Sequence, residues 1–205
     1  MTPKPAADPA APAAPLDRRP IIISGPSGVG KGTLAQKLID KYPQTFALSV
    51  SHTTRSPRAG EIDGKSYHFV TPATFSTLIS QDTFVEYTTF NGHQYGTSKI
   101  TIAEIMGKGM IPVLDIEIDG VQQIRERSSI DARYVFIKPP NLEALGARLR
   151  SRGTESEDDV LSRLARAREE IEFAETRGFY DKIIVNGDLE RAFGELEEFL
   201  LRSSE

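Results

Sequence analysis

Residues 21–33 read IIISGPSGVGKGT, a short apolar run that is followed at once by a glycine-rich segment. A run of three isoleucines is typical of a strand that is buried on both faces of a parallel sheet. Leu34, Leu38 and Ile39 then recur at helical spacing, which predicts a helix from Thr33 to Lys41. The order strand, glycine-rich turn and helix forms the first half of a βαβ unit and favours an α/β fold.

The glycine-rich segment matches the pattern GxxxxGK and stands between the predicted strand and helix, where such a loop binds phosphate. Its glycines let backbone amides point inward at the positive end of the helix dipole, and Lys31 adds a point charge for the β- and γ-phosphates. A glycine-rich turn that binds nothing is the alternative, and the flanking strand and helix disfavour it. The predicted ATP-binding residues of this phosphate-binding loop (P-loop) are Gly25, Pro26, Ser27, Gly28, Val29, Gly30, Lys31, Gly32 and Thr33.

The residue after Lys31 is Gly32, where a Ser or Thr commonly places a hydroxyl on Mg²⁺, and the first hydroxyl belongs to Thr33. Asp115, at the end of a later apolar run, is the acidic partner expected for a hydrated metal. We therefore predict that Mg²⁺ accompanies ATP near Thr33 and Asp115 and is held largely through water. An aspartate that merely caps the next turn is the alternative for Asp115.

The remaining chain alternates apolar runs with helical patterns, which predicts a doubly wound parallel sheet. Strands are predicted at 111–116, 134–137 and 182–185, and helices at 142–150, 157–177 and 189–201. The stretch 46–70 alternates polar and apolar residues around turn signals at Pro57, Gly60 and Asp63-Gly64. It therefore predicts short strands of an inserted subdomain.

Arginines concentrate in two polar stretches. Arg55 and Arg58 lie three residues apart, and two guanidinium forks can clamp one phosphate, with the Tyr67 hydroxyl as a neutral donor. The stretch RLRSRGTE at 148–155, followed by Arg163, also concentrates guanidinium groups between two helices. The alternative for both is a solvated charged surface, in the second stretch one paired with the acids of 157–159.

Composition and net charge limit the classes of protein to which the chain can belong. The 205 residues are 39% hydrophobic and 26% charged, which suits one globular domain with insertions, and the net charge of -4 gives no global attraction to nucleic acid or anionic membrane. The chain contains no cysteine and no apolar stretch approaching the roughly 20 residues that span a bilayer. We expect a soluble, cytoplasmic, monomeric protein with a disordered proline- and alanine-rich tail at 1–19.

Four segments stand in the order and spacing of guanylate kinases: GPSGVGKGT at 25–33, SHTTRSPRAGEIDGKSYHFV at 51–70, FNGHQYGTS at 90–98 and VLDIEIDGV at 113–121. The chain resembles this family from about residue 20 to residue 201. The resemblance implies a P-loop kinase core at 20–50 and 109–205, a small mixed β GMP-binding insertion at about 51–100, and a helical lid at about 148–163. It implies transfer of the ATP γ-phosphoryl group to GMP, and to dGMP.

The resemblance also implies roles for individual residues. Those around the GMP phosphate would be Ser51, Arg55, Arg58, Tyr67 and Tyr95, those at the guanine edge Glu86 and Thr97, with Asp115 and Glu117 completing the GMP site. The residues that act in transfer would be Lys31, Arg55 and the lid arginines Arg148, Arg152 and Arg163. His52 is interpreted as structural or solvent-facing, and Arg150 and Arg166 receive no role.

Guanine chemistry agrees with a carboxylate at the base. Guanine presents N1–H and N2–H₂ donors side by side, whereas adenine presents an acceptor at N1 and would face Glu86 unfavourably. Glu117 stands where many family members have Asp, so its reach differs by a methylene. Two alternatives remain at this stage, a kinase for another monophosphate such as AMP and a catalytically inactive guanylate-kinase-like module that binds protein partners. The intact P-loop, Asp115 and lid arginines favour the enzyme.

Overall fold

The computed structural model describes residues 16–90, 92–127, 130–151 and 156–202. The first 15 residues of the predicted tail lie outside these ranges. Leu16 packs partly against the core, and the Asp17 backbone carbonyl accepts a 3.0 Å hydrogen bond from Arg133. The last residues of the predicted tail therefore lie against the folded domain.

Strands and helices alternate along the described ranges. The strands are β1 (Ile21–Ser24), β2 (Phe46–Leu48), β3 (His52–Thr53), β4 (His68–Phe69), β5 (Phe84–Phe90), β6 (His93–Ser98), β7 (Ile111–Asp115), β8 (Arg133–Lys138) and β9 (Lys182–Val185). The helices are α1 (Lys31–Lys41), α2 (Pro72–Ser80), α3 (Lys99–Gly107), α4 (Ile118–Arg127), α5 (Leu142–Ser151), α6 (Glu157–Arg177) and α7 (Leu189–Leu201). None of these helices is both long enough and apolar enough to cross a bilayer.

The main sheet has five parallel strands in the order β2-β7-β1-β8-β9, which confirms the predicted α/β class. Its central strand explains the three isoleucines. Ile21 and Ile23 pack into the core on one side of the sheet and Ile22 into the core on the other, and all three are fully buried. Burying a side chain of this size stabilises a fold by about 1.5–3 kcal/mol, so the run fixes β1 in the middle of the sheet.

The two cores belong to helices on opposite faces of the sheet. On the Ile21 side they include Leu34 of α1, Leu145 of α5 and Leu196 of α7. On the Ile22 side they include Ile102 of α3 and Val121 of α4. Helices on both faces make the fold doubly wound, as predicted.

The second sheet is small and mixed, in the order β4-β3-β6-β5, with β3 and β4 parallel and the other pairs antiparallel. Phe75 of α2 stacks on Phe84 with ring centroids 4.7 Å apart and covers one face. The Gln123 side chain of α4 donates to the Tyr87 carbonyl at 2.8 Å and accepts from the Tyr87 N–H at 3.3 Å. This pair of bonds fixes the edge strand β5 against α4.

One strand differs from its prediction. The stretch 46–70 was expected to belong to the inserted strands, but β2 pairs in parallel with β7 of the main sheet, with Phe46 opposite Ile111. Phe46 is fully buried in the core of α1 and α7, and that burial holds its strand at the edge of the main sheet. The helix predicted from Thr33 likewise begins two residues earlier, at Lys31.

Candidate active site

A cleft of about 750 Å³ lies where the carboxyl ends of β1 and β7 face the small sheet. This edge is where α/β sheets bind ligands. The predicted site residues that line it are Ser27, Gly28, Gly30, Lys31, Gly32, Thr33, Ser51, Arg58, Tyr67, Glu86, Tyr95, Asp115, Glu117 and Arg163. The fold thus brings residues from distant parts of the chain to one cleft.

The P-loop needs glycine where its backbone turns. Gly30 has φ 103°, and a Cβ there would lie 2.6 Å from Asn186 Nδ2. Gly25 has φ 142°, and a Cβ there would lie 2.2 Å from the Ile137 carbonyl oxygen. No side chain caps the start of α1. The first N–H groups of this helix are therefore available to an anion, together with the positive end of its dipole.

Lys31 is nearly buried at the bottom of the P-loop. Its Nζ donates to the Gly25 carbonyl at 2.6 Å and lies 4.0 Å from Asp115 Oδ1 and 3.8 Å from Glu117 Oε1. The parallel pairing of Ile23 with Asp115 sets this carboxylate beside the loop. A buried ammonium needs such partners to offset its lost hydration.

Oxygen donors for a hard cation are available beside Lys31. Thr33 and Asp115 both line the cleft, and a Cβ on Gly32 would lie 3.8 Å from Asp115 Oδ2. Enclosure in the cleft raises the pKa of Asp115, while Lys31 opposes the rise. The described residues include no cluster of three or more His, Asp or Glu that could hold a metal. A hydroxyl and a carboxylate with few further ligands fit Mg²⁺, which keeps several waters in most protein sites.

Glu86 is the buried carboxylate of the other half of the cleft. It is 4% exposed, and its Oε1 accepts a 2.6 Å hydrogen bond from the Thr97 hydroxyl on the facing strand. The Ser51 hydroxyl lies 3.3 Å from that of Thr97. Burial raises the pKa of Glu86 to about 7, with Thr97 opposing the shift and Glu117 adding to it. Thr97 is itself buried and does not line the cleft, so its hydroxyl orients Glu86.

Arg55 and Arg58 are organised by an acid that the sequence analysis did not assign. Glu61 accepts two 2.9 Å hydrogen bonds from the Arg55 guanidinium and one 2.7 Å bond from the Arg58 backbone N–H. This bidentate pair raises the pKa of Arg55 and lowers that of Glu61. The Arg55 guanidinium lies 5.3 Å from the Tyr67 ring centre and does not line the cleft, whereas Arg58 does.

The lid arginines differ in position. Arg163 lines the cleft and donates to the Ser27 hydroxyl at 2.6 Å. Arg148 lies behind the P-loop, where it donates to the carbonyls of Val29 at 3.3 Å and Asn186 at 2.8 Å. Arg152 lies outside the described residues.

The arginines without a predicted role do not line the cleft. Arg150 pairs with Glu157 at the surface, and Arg166 binds Asp119 and the buried Glu170, each at 3.0 Å. The Arg150–Glu157 pair matches the charged-surface alternative for this stretch. His52 stacks on His68 with ring centroids 4.7 Å apart and does not line the cleft.

Several residues of the site carried no signal in the sequence. Asn186 donates to the Val29 carbonyl at 2.8 Å across 157 positions of the chain, which no local pattern predicts. Ser49 and Thr88 line the cleft as single polar residues outside any motif, and Ser66 lines it from within the segment at 51–70 without a predicted role. Glu61 could have been found, because it follows Arg58 by three residues in the turn that holds both arginines.

Comparisons with known proteins agree with this geometry. The family model for Guanylate kinase matches residues 17–203. A guanylate kinase of Schizosaccharomyces pombe is 47% identical over 201 residues, which cover 98% of this chain and 99% of that protein. A guanylate kinase of Homo sapiens is 41% identical over 182 residues, covering 89% and 92%. The crystal structure of guanylate kinase from Anaplasma phagocytophilum superposes with a TM-score of 0.71 at 30% identity, covering 91% of this chain and 86% of that one.

Proposed function

The chain belongs to the guanylate kinase family, and we propose that it transfers the γ-phosphoryl group of ATP to GMP in the cleft described above. One observation carries the assignment of residues. A single cleft holds Lys31 beside a helix N-terminus at one end and the buried carboxylate of Glu86 at the other. The first end suits a triphosphate, and the second suits the paired N–H donors of guanine.

ATP binds at the P-loop in this proposal. The N–H groups at the start of α1 bind phosphate oxygens, and Lys31 neutralises charge on the β- and γ-phosphates. Lys31 exchanges part of its contact with Asp115 and Glu117 for the phosphate oxygens, which lie on the same side of the loop. The Gly25 carbonyl keeps the ammonium in place.

A magnesium ion that accompanies ATP would supply positive charge against the triphosphate when bound. Thr33 and Asp115 are the residues that would hold it, largely through water, because both supply hard oxygen ligands to the cleft.

GMP binds between the small sheet and the carboxyl end of β7. Glu86 accepts from guanine N1–H and N2–H₂, with Thr97 holding its orientation and Glu117 nearby, while Ser51, Arg58, Tyr67 and Tyr95 surround the phosphate. Arg55, held by Glu61, lies behind Tyr67 and adds positive charge on the same side.

Transfer needs no general base, because the acceptor oxygen on the GMP phosphate is already an anion. That oxygen forms a bond to the γ-phosphorus while the bond to the β–γ bridging oxygen breaks, so GDP and ADP are the products. Arg163 supports charge on the transferring group from the lid side, as do Arg148 and Arg152 when the lid closes. Closure excludes water as a competing acceptor.

We also propose a division of the chain into a core at 20–50 and 109–205 with an insertion at about 51–100. The protein is further proposed to accept dGMP, to be cytoplasmic and to be a monomer. The small-molecule substrates follow from the family, and the net charge of -4 gives nucleic acid no general attraction.

Steady-state phosphorylation with MgATP tests the proposal. GMP, dGMP, AMP, CMP and UMP should be offered at equal concentrations and ADP formation measured. We expect GMP to be phosphorylated with a kcat/KM well above those of AMP, CMP and UMP. An AMP rate equal to the GMP rate would overturn the acceptor assignment, and no transfer to any monophosphate would indicate the inactive module.

A further inference from the structure

The β5–β6 ladder arranges two cross-strand pairs on the face that looks into the cleft. Glu86 stands opposite Thr97, and two residues further along β5 Thr88 stands opposite Tyr95. Side chains at i and i+2 of a strand share a face, so Thr88 lies in the same row as Glu86. Glu86, Thr88 and Tyr95 all line the cleft.

The row of Glu86 and Thr88 runs from the base-reading carboxylate toward the phosphate-binding residues. Two residues of a strand span roughly 6.6 Å. In the proposed binding mode, on which this inference rests, the base lies at Glu86 and the phosphate at Arg58, Tyr67 and Tyr95. The sugar joins these two groups and therefore lies beside Thr88.

The Thr88 hydroxyl is available to a ligand. Its Oγ1 forms no hydrogen bond within the part of the chain that the structure describes, and the residue is only partly buried. A threonine hydroxyl both donates and accepts, as does a sugar hydroxyl.

We propose that the Thr88 hydroxyl binds the ribose 2′-hydroxyl of the acceptor and makes the enzyme prefer GMP to dGMP. The 2′-carbon is bonded to the carbon that carries the base, so the 2′-hydroxyl lies between the base at Glu86 and the phosphate-binding residues beyond it. A protein group that bonds a substrate hydroxyl disfavours the substrate that lacks this hydroxyl. With that substrate, the protein group has lost its hydrogen-bond partner.

The test compares Thr88→Val with Thr88→Ser. Valine keeps the shape of threonine and removes the hydroxyl, whereas serine keeps the hydroxyl. With MgATP saturating, Thr88→Val should lower kcat/KM for GMP by about three- to tenfold, the worth of one neutral hydrogen bond, and leave kcat/KM for dGMP unchanged. Thr88→Ser should retain most of the GMP preference.

Thr89→Val is the matched control. Thr89 is the next residue, is exposed, and stands opposite Gln94 on the other face of β5. Thr89→Val also removes a threonine hydroxyl from β5, but on the face away from the cleft. It should therefore leave the ratio of kcat/KM for GMP to kcat/KM for dGMP unchanged. Circular dichroism on all three variants checks that each is folded.

Several results would overturn the inference. An equal fall in kcat/KM for GMP and dGMP in Thr88→Val, or no fall for either, would show that Thr88 does not contact the 2′-hydroxyl. The proposed function would still stand if the unsubstituted protein phosphorylates GMP. Failure of the unsubstituted protein on GMP would overturn both. 3′-Deoxy-GMP should behave as GMP does in all variants; loss of the Thr88→Val effect with this substrate would assign the contact to the 3′-hydroxyl instead.

Discussion

The two halves of the cleft are built by different means. The donor half is mostly backbone, formed by the consecutive residues 25–33, with turns that only glycine adopts and a helix start that no side chain caps. The acceptor half is mostly side chains, drawn from residues 51–97 and aligned by strand pairing. Changes in the donor half should therefore affect every reaction of the enzyme, whereas changes in the acceptor half should affect one substrate selectively.

The largest effect is expected in the donor half. Lys31→Ala removes the positive charge that the P-loop itself places next to the β- and γ-phosphates, so kcat should fall on the order of 100- to 1,000-fold with any acceptor. Steady-state kinetics with GMP and with AMP measures this fall in kcat. Turnover at the unsubstituted rate would contradict the assignment of the P-loop.

The matched control for Lys31 is Lys37→Ala. Lys37 lies two turns later on α1 and pairs with Glu190 on the surface at 2.7 Å, outside the cleft. This variant should keep its activity. A similar loss in both variants would indicate damage to α1 instead of a missing phosphate contact.

Arg58→Lys tests the selectivity of the acceptor half. A lysine cannot reproduce a bidentate guanidinium contact, so the KM for GMP should rise by about tenfold while the KM for ATP stays the same. Equal effects on both substrates would place Arg58 elsewhere. Arg191→Lys, which alters an exposed pair with Glu195, should change neither constant.

Glu61→Gln tests whether the acid positions the arginines or competes with the phosphate. If it positions them, loss of the bidentate pair should raise the KM for GMP by about three- to tenfold. The effect should largely vanish in an Arg55→Lys background, because the two residues act through one contact. A lower KM for GMP in Glu61→Gln would show that Glu61 opposes binding.

The pKa of Glu86 predicts a gain in stability when its charge is removed. Burial raises the pKa to about 7 from its usual value of 4.5, so the folded form holds its proton more tightly than the unfolded chain. This favourable contribution is complete below pH 4.5 and is lost as the pH rises through 7. Glu86→Gln should therefore be more stable than the unsubstituted protein at pH 8, by about 1–3 kcal/mol, and little different at pH 4.5.

Urea denaturation at the two pH values measures the difference. A Glu86→Gln variant that is less stable at pH 8 would mean that the hydrogen bond from Thr97 outweighs the burial of charge. The acceptor half would then be optimised for stability as much as for binding.

The same contrast explains what the sequence predicted. The helices at 157–177 and 189–201 and the strand at 182–185 have the bounds that their apolar periodicity indicated, because each pattern is local. The P-loop is local as well. Pairings across the chain had no such signal, so the local pattern at 46–70 did not separate β2 from the inserted strands, and the contact of Asn186 with the P-loop was missed. Arg55, Arg58 and Tyr67 could be predicted as a phosphate clamp from their own chemistry, whereas Glu86, Thr97 and Tyr95 could be named only through family resemblance, since single polar residues form no motif by themselves.

The preference for GMP depends, in this proposal, on the Glu86 carboxylate of the acceptor half, which accepts hydrogen bonds from guanine. kcat/KM for GMP and for AMP should be compared in the unsubstituted protein and in Glu86→Gln at saturating MgATP and pH 8, where the carboxylate is ionised. Gln supplies a donor where guanine needs an acceptor, so kcat/KM for GMP should fall by about 10- to 150-fold, with a far smaller change for AMP. An unchanged preference for GMP over AMP would mean that Glu86 does not read the base.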